Sequence, residues 1–169
     1  NENLNGLFRN AIDENRLADL ARQLDLSVDS LHRLRTGWDQ NKGVWTFPMF
    51  APDGRITGFR LRTPTGKKFS MTGGKEGLFI PWKLQFDERR LFISEGPTDA
   101  ATCLDLGLDA IGRPSCMGAV NMTVGYVRQS WPLDVIIVAD SDTPGQRGAA
   151  VLAGALLGVA RTVRIITPP

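Results

Sequence analysis

The second half of the chain alternates short apolar runs with longer segments of helical pattern, and this alternation constrains the fold more than any other feature of the sequence. Four runs are predicted to be strands: LFIS at 91–94, DAI at 109–111, VIIVA at 135–139 and TVRIIT at 162–167. The segments between them are predicted to be helices, at 98–106, 118–131 and 145–160. A β-α-β-α-β-α-β order predicts a parallel sheet that helices cover on both faces.

Acidic residues follow two of these predicted strands at the point where each strand ends. Glu95 comes directly after LFIS, and Asp140 and Asp142 follow VIIVA. A carboxylate at the end of a buried strand is costly unless it is paired or bound to a cation, and ligands gather at the carboxyl ends of parallel strands. Oxygen-only ligands suit Mg²⁺. Because Gly96 and Gly145 allow sharp turns beside these acids, the sequence predicts one acidic, metal-binding cleft.

Three other interpretations of the acidic pair after VIIVA fit the sequence less well. A calcium-binding EF-hand loop that begins at Asp140 would need Asp or Asn in place of Pro144 and Glu in place of Val151. A phosphatase of the haloacid dehalogenase type resembles D-x-D-x-[TV], but here Thr143 stands one place early. Helix N-capping explains Asp142 by itself. It does not explain why two separate strand ends carry acids.

The first part of the chain is predicted to form a separate α+β lobe. Two short helices, at 14–24 and from the N-cap Ser27 through Leu34, precede β-patterned runs at 44–50, 55–62, 67–72 and 77–81. The helices could form a helix-turn-helix DNA reader, but the shortness of the second favours a packing role. The runs predict a small antiparallel sheet. We expect this lobe to span residues 1–88 and the parallel-sheet domain to span residues 89–169.

Positive charge is concentrated in this first lobe. Residues 1–90 hold 15 Lys and Arg against 11 Asp and Glu, whereas residues 91–169 hold 5 against 7. Arg60 and Arg62 share one face of a predicted strand by period-two alternation, and Lys68 extends that face across the turn. Such a surface attracts a polyanion such as nucleic acid or a nucleoside triphosphate. A solvated basic face is the alternative interpretation.

Other features of the sequence limit where the protein works. No apolar run approaches the ~20 residues needed to span a bilayer, and the N-terminus has no signal-peptide pattern. Cys103 and Cys116 form no C-x-x-C pair, so neither a zinc site nor a disulfide framework is predicted. We therefore expect a cytoplasmic protein without a membrane partner.

The two acidic segments together resemble the TOPRIM domain. E-G-x-x-D-A follows one predicted strand and D-x-D-x-x-G opens a helix after another, and the resemblance covers residues 90–169. The family includes bacterial and phage primases, type IA and type II topoisomerases, certain nucleases and a recombination factor. The resemblance implies that Glu95, Asp140 and Asp142 are catalytic, and that they bind Mg²⁺, or Mn²⁺ in its place, with Asp99 nearby.

Residues 45–82 are similar to the segment that precedes TOPRIM in DnaG-type bacterial and phage primases. The shared features are an apolar-Pro strand, a turn ending in Gly-Arg, G-F-x-x-R, K-[FY]-x-[NM]-[ST] and a Lys-Gly element. The implied fold is α/β, a TOPRIM parallel sheet flanked by helices and preceded by a small basic α+β lobe. The implied nucleic-acid and nucleotide-binding residues are Arg60, Arg62, Lys68 and Lys75.

The implied activity is that of a DNA-directed RNA primase, a nucleotidyltransferase of DNA replication. Its partners would be a single-stranded DNA template, nucleoside triphosphates and a replicative helicase, fused or separate. A TOPRIM nuclease using the same acids, or a non-catalytic TOPRIM module that binds DNA, is the alternative. A topoisomerase is less favoured, because the single tyrosine, Tyr126, falls on a predicted helix.

The chain departs from the primase pattern in two places. The loop after the second predicted strand reads GRPSCMGA, where those primases have a Gly-Thr-containing turn. The primases also carry further aspartates beyond the last strand, and this chain ends at Pro169 before that point. Because the chain also begins at Asn1 rather than at a methionine and stops just after an apolar strand pattern, we expect the sequence to be an excised domain.

Overall fold

The computed structural model describes residues 2–84, 90–132 and 134–168, which form two four-stranded sheets and six helices. The helices are α1 (Glu2–Asn10), α2 (Glu14–Leu24), α3 (Val28–Arg33), α4 (Gly96–Asp105), α5 (Val120–Ser130) and α6 (Thr143–Leu156). The strands are β1 (Gly37–Asp39), β2 (Val44–Phe50), β3 (Ile56–Arg62), β4 (Lys68–Ser70), β5 (Arg90–Glu95), β6 (Ala110–Arg113), β7 (Asp134–Val138) and β8 (Thr162–Ile166). None of the described helices is both long and apolar enough to cross a membrane.

The C-terminal sheet is parallel throughout, with the strand order β6-β5-β7-β8. The chain leaves β5 for β6 on one side and later returns to β7 on the other, so the topological switch point lies between β5 and β7. Helix α4 packs toward the N-terminal lobe, while α5 and α6 pack with the interior side chains of β5 and β7. This arrangement confirms the predicted parallel sheet flanked by helices.

The N-terminal sheet is antiparallel, with the order β1-β2-β3-β4. On β3, Phe59 and Leu61 are buried, whereas Arg60 and Arg62 lie on the opposite, partly exposed face. Arg62 is directly opposite Lys68 on β4, so these two side chains share a face. The alternation predicted for this strand is therefore present in the structure.

Three elements differ from the sequence-based expectation. Helix α1 was not predicted, although it is amphipathic; its buried residues are Asn5 and Phe8. Strand β1 is three residues long and is defined by its pairing with β2 rather than by a pattern of its own. The run 77–81 forms single bridges instead of a strand. The predicted boundary between residues 88 and 89 lies outside the described residues.

The bridges in that run join the two sheets. The backbone of Leu78 exchanges hydrogen bonds of 2.7 and 2.8 Å with Phe50 on β2, and the backbone of Phe79 exchanges bonds of 2.8 and 3.0 Å with Gly112 on β6. The Leu78 side chain packs into the core of the C-terminal sheet, and the Phe79 side chain packs into the core under α2 and α3. We call this pair the sheet junction.

A second contact ties the helices of the two lobes together. The carboxylate of Asp105, at the end of α4, accepts hydrogen bonds from the Ser27 backbone amide at 2.8 Å and from its hydroxyl at 2.5 Å. Ser27 is itself the N-cap of α3. Ala101 and Leu104 of α4 lie in the same apolar cluster as the helices α2 and α3. One apolar cluster therefore contains side chains of both lobes.

Replacing Phe79 with alanine tests the sheet junction. The side chain is 1% exposed, so we expect Phe79→Ala to lower the free energy of unfolding by about 3–5 kcal/mol, because apolar burial is reduced and a cavity remains. Urea denaturation followed by circular dichroism measures the change. Leu106→Ala is the control, since Leu106 is 70% exposed and its replacement should change stability by no more than about 0.5 kcal/mol. Equal effects of the two substitutions would contradict the assignment.

Candidate metal and phosphate-binding site

Glu95 and Asp99 lie at the junction of β5 and α4. Glu95 is the last residue of β5 and the N-cap of α4, and it has extended backbone angles. Gly96 follows with a φ of +83°, a left-handed conformation that glycine adopts without steric cost. Asp99 falls in the first turn of α4. The turn at Gly96 thus places both carboxylates at the carboxyl end of the parallel sheet.

Asp140 and Asp142 lie beside them, between β7 and α6. Asp142 is the N-cap of α6, and its Oδ1 accepts a hydrogen bond of 2.7 Å from the Gly145 amide. A Cβ atom at Gly145 would lie 2.8 Å from Cβ of Asp140 and 2.9 Å from Oδ1 of Asp142. The turn therefore has no room for a side chain at position 145, and the glycine there allows both aspartates to lie close to the first turn of α6.

Several groups act on the charge of Glu95. Burial raises its pKa above the ordinary value, and the negative charges of Asp140 and, more weakly, Asp142 raise it further. The backbone amide of Cys116, as a hydrogen-bond donor, and the guanidinium of Arg113 lower the pKa in part. Carboxylates from both strand ends therefore repel one another across the switch point.

Asp99 experiences the same field. Its pKa is raised by desolvation of the carboxyl group, by Asp140 and by Glu95, and lowered by the positive charge of Lys68. The residue as a whole is exposed, so local packing around the carboxyl group rather than deep burial causes the desolvation. Lys68 belongs to β4 of the N-terminal lobe. A cation from the basic lobe therefore faces the acidic group of the parallel sheet.

A small cavity lies between the two strand ends. Its volume is about 20 Å³, room for one water molecule, and its polar lining includes Glu95, Arg113, Ser115, Cys116 and Asp140. Within the described residues, no three His, Cys, Asp or Glu side chains form a ready-made metal-binding group. The candidate ligand atoms are all carboxylate oxygens. Such a set suits Mg²⁺, which keeps several water ligands and needs few ligands from the protein.

The predicted basic residues occupy different environments. Arg62 is partly buried, and its Nε has no hydrogen-bond partner among the described residues. Lys68 and Lys75 are exposed, and the Lys75 amide ties its loop to Thr57 O on β3 at 3.0 Å. Arg60 instead reaches across the lobes, where its Nη2 donates to the carbonyl of Pro114 at 2.8 Å.

Arg113 is a site residue that the sequence analysis did not assign. It ends β6 directly opposite Glu95 in the parallel pairing, and it is 4% exposed. Its Nε and Nη2 donate to Gly118 O at 3.1 and 2.9 Å. The available signal was a charged residue directly after the short apolar run AI-Gly112, in a loop that departs from the primase pattern.

The repulsion between the strand ends can be measured directly. Asp140→Asn removes a negative charge that faces Glu95, so we expect the pKa of Glu95 to fall toward its ordinary value. A ¹³C-carboxyl NMR titration of the metal-free protein reports that pKa. Asp134→Asn is the control, because Asp134 begins β7 at the opposite end of the sheet. An unchanged Glu95 titration in Asp140→Asn would show that the two carboxylates do not interact.

Comparisons with known proteins bear on the fold. No protein-family model matches the sequence, and no curated protein is similar to it in sequence. Solved structures do match. The E. coli primase catalytic core superposes with a TM-score of 0.68 at 18% identity, covering 99% of this chain and 70% of that one.

Two further primase structures match in the same way. A DnaG primase catalytic domain bound to single-stranded DNA has a TM-score of 0.69 at 15% identity, covering 98% of this chain and 69% of that chain. The primase fragment of the bacteriophage T7 primase-helicase has a TM-score of 0.58 at 15% identity, covering 85% and 62%. The chain therefore has the fold of a DnaG-type primase catalytic core, with its TOPRIM parallel sheet.

Proposed function

We propose that this chain is the catalytic core of a DNA primase that synthesises RNA primers on single-stranded DNA in replication. The observation that carries the proposal is that the charges of Glu95, Asp99 and Asp140 act on one another at the switch point, and that the charge of Lys68, on the basic face of β3 and β4, acts on Asp99. The fold supports it, since one neighbour of known structure is a primase domain bound to single-stranded DNA. Another is part of a primase-helicase, which favours a helicase, fused or separate, as partner.

In this proposal Glu95, Asp140 and Asp142, with Asp99 nearby, bind Mg²⁺, for which Mn²⁺ can substitute. The metal would neutralise charge on the transferring phosphoryl group and activate the attacking 3′-hydroxyl. A bound cation stabilises a group of carboxylates most when they repel one another. Because Glu95 must lose its proton to bind a cation, metal affinity should rise with pH through the raised pKa of that residue.

Phosphates would bind on the basic face. Arg62 and Lys68 are paired across β3 and β4, and Lys75 is exposed in the loop that follows β4. Their charges would hold template and triphosphate phosphates next to the carboxylates, in a salt-sensitive interaction that displaces counterions. In this proposal each lobe has its own task, with metal bound on the parallel sheet and phosphate bound on the basic lobe.

A topoisomerase mechanism has less support. It needs a tyrosine nucleophile, and Tyr126 is the single tyrosine of the sequence. Tyr126 lies on α5, is 9% exposed, and has a pKa that burial raises. A buried phenol held in its neutral form is a poor nucleophile. A nuclease or a DNA-binding module would use the same residues, so the experiment must separate these from a primase.

The role of the carboxylates is tested by substitutions of aspartate with asparagine, which remove the negative charge and keep the size and shape of the side chain. We expect Asp140→Asn and Asp142→Asn to lower primer synthesis by on the order of 100-fold or more, because the metal ions lose anionic ligands. Asparagine can still accept the hydrogen bond that caps α6, so the fold should survive. The assay incubates the full-length native chain with end-labelled single-stranded DNA, nucleotides and Mg²⁺ or Mn²⁺, with Asp134→Asn as the matched control.

Each outcome of that assay selects one function. New short products that disappear in both variants support a primase. Shortening of the labelled DNA that is absent in the same variants would instead mean a nuclease. Binding without either change would leave a DNA-binding module, and full primer synthesis by Asp140→Asn would refute the metal-site assignment.

The basic face is tested through the salt dependence of binding. We expect Lys68→Ala and Arg62→Met to weaken single-stranded DNA binding and to make the plot of log affinity against log salt shallower by about 0.7 for each phosphate that is no longer neutralised. Fluorescence anisotropy measures both quantities. Arg128→Ala serves as the control, since Arg128 is exposed in the last turn of α5. Equal slopes for all three variants would remove these residues from the binding face.

A further inference from the structure

The loop between β6 and α5, residues 114–118, is held at both ends by arginine side chains from outside it. At its start, the carbonyl of Pro114 accepts a 2.8 Å hydrogen bond from Nη2 of Arg60, which belongs to β3 of the other lobe. At its end, the carbonyl of Gly118 accepts from both Nε and Nη2 of Arg113, at 3.1 and 2.9 Å. We call this segment the clamped loop.

The clamped loop is also closed on itself. The Gly118 amide donates to Oγ of Ser115 at 3.0 Å and to its carbonyl at 3.1 Å. A Cβ at Gly118 would lie 2.7 Å from that Oγ and 2.8 Å from Cγ of Pro114, so glycine is required for this closure. These interactions fix a compact turn whose position depends on what holds its two ends.

The middle of the loop packs against the helix that Asp142 caps. A Cβ at Gly148, on α6, would lie 2.3 Å from the carbonyl oxygen of Cys116 and 2.9 Å from its Cβ. Ser115 and Cys116 also line the small cavity between the strand ends, together with Glu95 and Asp140. The loop therefore forms one wall of the carboxylate site, with the Cys116 amide facing Glu95.

Arg113 differs from the cations of the basic face in burial, and Arg60 differs from Arg62 in its hydrogen-bond partner. Arg113 is almost wholly buried, and Glu95 and Glu76 both act on its guanidinium. A buried cation is costly unless its N–H groups are hydrogen-bonded and its charge is offset. Here the Gly118 carbonyl accepts from Nε and Nη2, and the charges of Glu95 and Glu76 offset the positive charge. Arg60 shares a face with Arg62, yet it donates to a protein carbonyl of the other lobe.

We propose that Arg60 and Arg113 are positioning residues that clamp the loop 114–118 against both lobes and thereby hold the wall of the metal site beside Glu95. This inference rests on the proposed function for the purpose of the site, but the clamp itself is a property of the fold. In this inference Arg60, which is predicted from the sequence to bind nucleic acid, acts on the loop. Phosphate binding on β3 is left to Arg62.

Hydrogen exchange of the loop tests the clamp without any assay of activity. In the full chain, we expect the amides of residues 115–118 to exchange faster by on the order of tenfold in Arg60→Met and in Arg113→Met, because each variant lacks a charge-assisted hydrogen bond. Arg62→Met, on the same face of the same strand, should leave their exchange unchanged. Arg60→Lys keeps one donor and should restore protection in part.

Metal and DNA binding then separate positioning from phosphate binding. We expect Arg60→Met to weaken Mn²⁺ binding, measured by electron paramagnetic resonance, by roughly three- to tenfold, as removal of one outer hydrogen bond does. Arg60→Met should leave single-stranded DNA binding and its salt slope unchanged. Arg62→Met should weaken single-stranded DNA binding, make its salt slope shallower and leave Mn²⁺ binding unchanged.

Clear results would overturn the inference. Unchanged loop exchange in Arg60→Met, in protein with wild-type circular dichroism, would show that no clamp exists. A shallower salt slope with unchanged loop exchange would make Arg60 a phosphate-binding residue. If the wild-type chain bound no Mn²⁺ and made no primers, the proposed function would fail, and the exchange data would still decide the clamp. If Arg113→Met does not fold, Arg60→Met and Arg60→Lys decide alone.

Discussion

Leu78 and Phe79 are adjacent in sequence, yet their backbones pair with different sheets, Leu78 with Phe50 on β2 and Phe79 with Gly112 on β6. Backbone pairing of this kind fixes both the distance between the two sheets and their relative orientation, because each residue exchanges two hydrogen bonds with its partner. Gly112 has no room for a Cβ, which would lie 2.3 Å from the carbonyl oxygen of Gly96. The junction therefore sets how close the basic face comes to the strand ends that carry the acids.

That closeness matters because the acidic site is electrostatically unfavourable when considered alone. Burial and mutual repulsion raise the pKa of Glu95 and of Asp99, and the two cations that oppose this come from different places. Arg113 belongs to the neighbouring strand β6, whereas Lys68 belongs to the other lobe. Protein cations thus offset part of the repulsion, and the remainder favours a bound metal ion.

The sequence predicted the parts of the structure that depend on local periodicity. Strands 91–94 and 135–139, their membership of a parallel sheet, and the acids at their ends follow from apolar runs and from the geometry of β-α-β units. It missed β1 and mistook the run 77–81 for a strand, because both are defined by which backbone lies opposite them. Helix α1 was missed although it is amphipathic, so this miss does not come from the absence of a local pattern. Backbone pairing between the lobes joins residues that are far apart in sequence, so it leaves no periodic pattern that could be recognised locally.

The hydrogen bond of Arg60 shows the same limit for a single side chain, because no local pattern marks Pro114 as its partner. Alternation along β3 correctly places Arg60 on the same face as Arg62. From this shared face the sequence predicts the same role, phosphate binding, for both arginines. Their environments differ because Pro114 of the other lobe lies within reach of Arg60, a consequence of the sheet junction that follows β3 and β4 along the chain. Nη2 of Arg60 donates to the Pro114 carbonyl, whereas Nε of Arg62 has no hydrogen-bond partner among the described residues. Which partner an arginine side chain reaches is decided by tertiary distances, and in this fold the sheet junction sets the distance between the lobes.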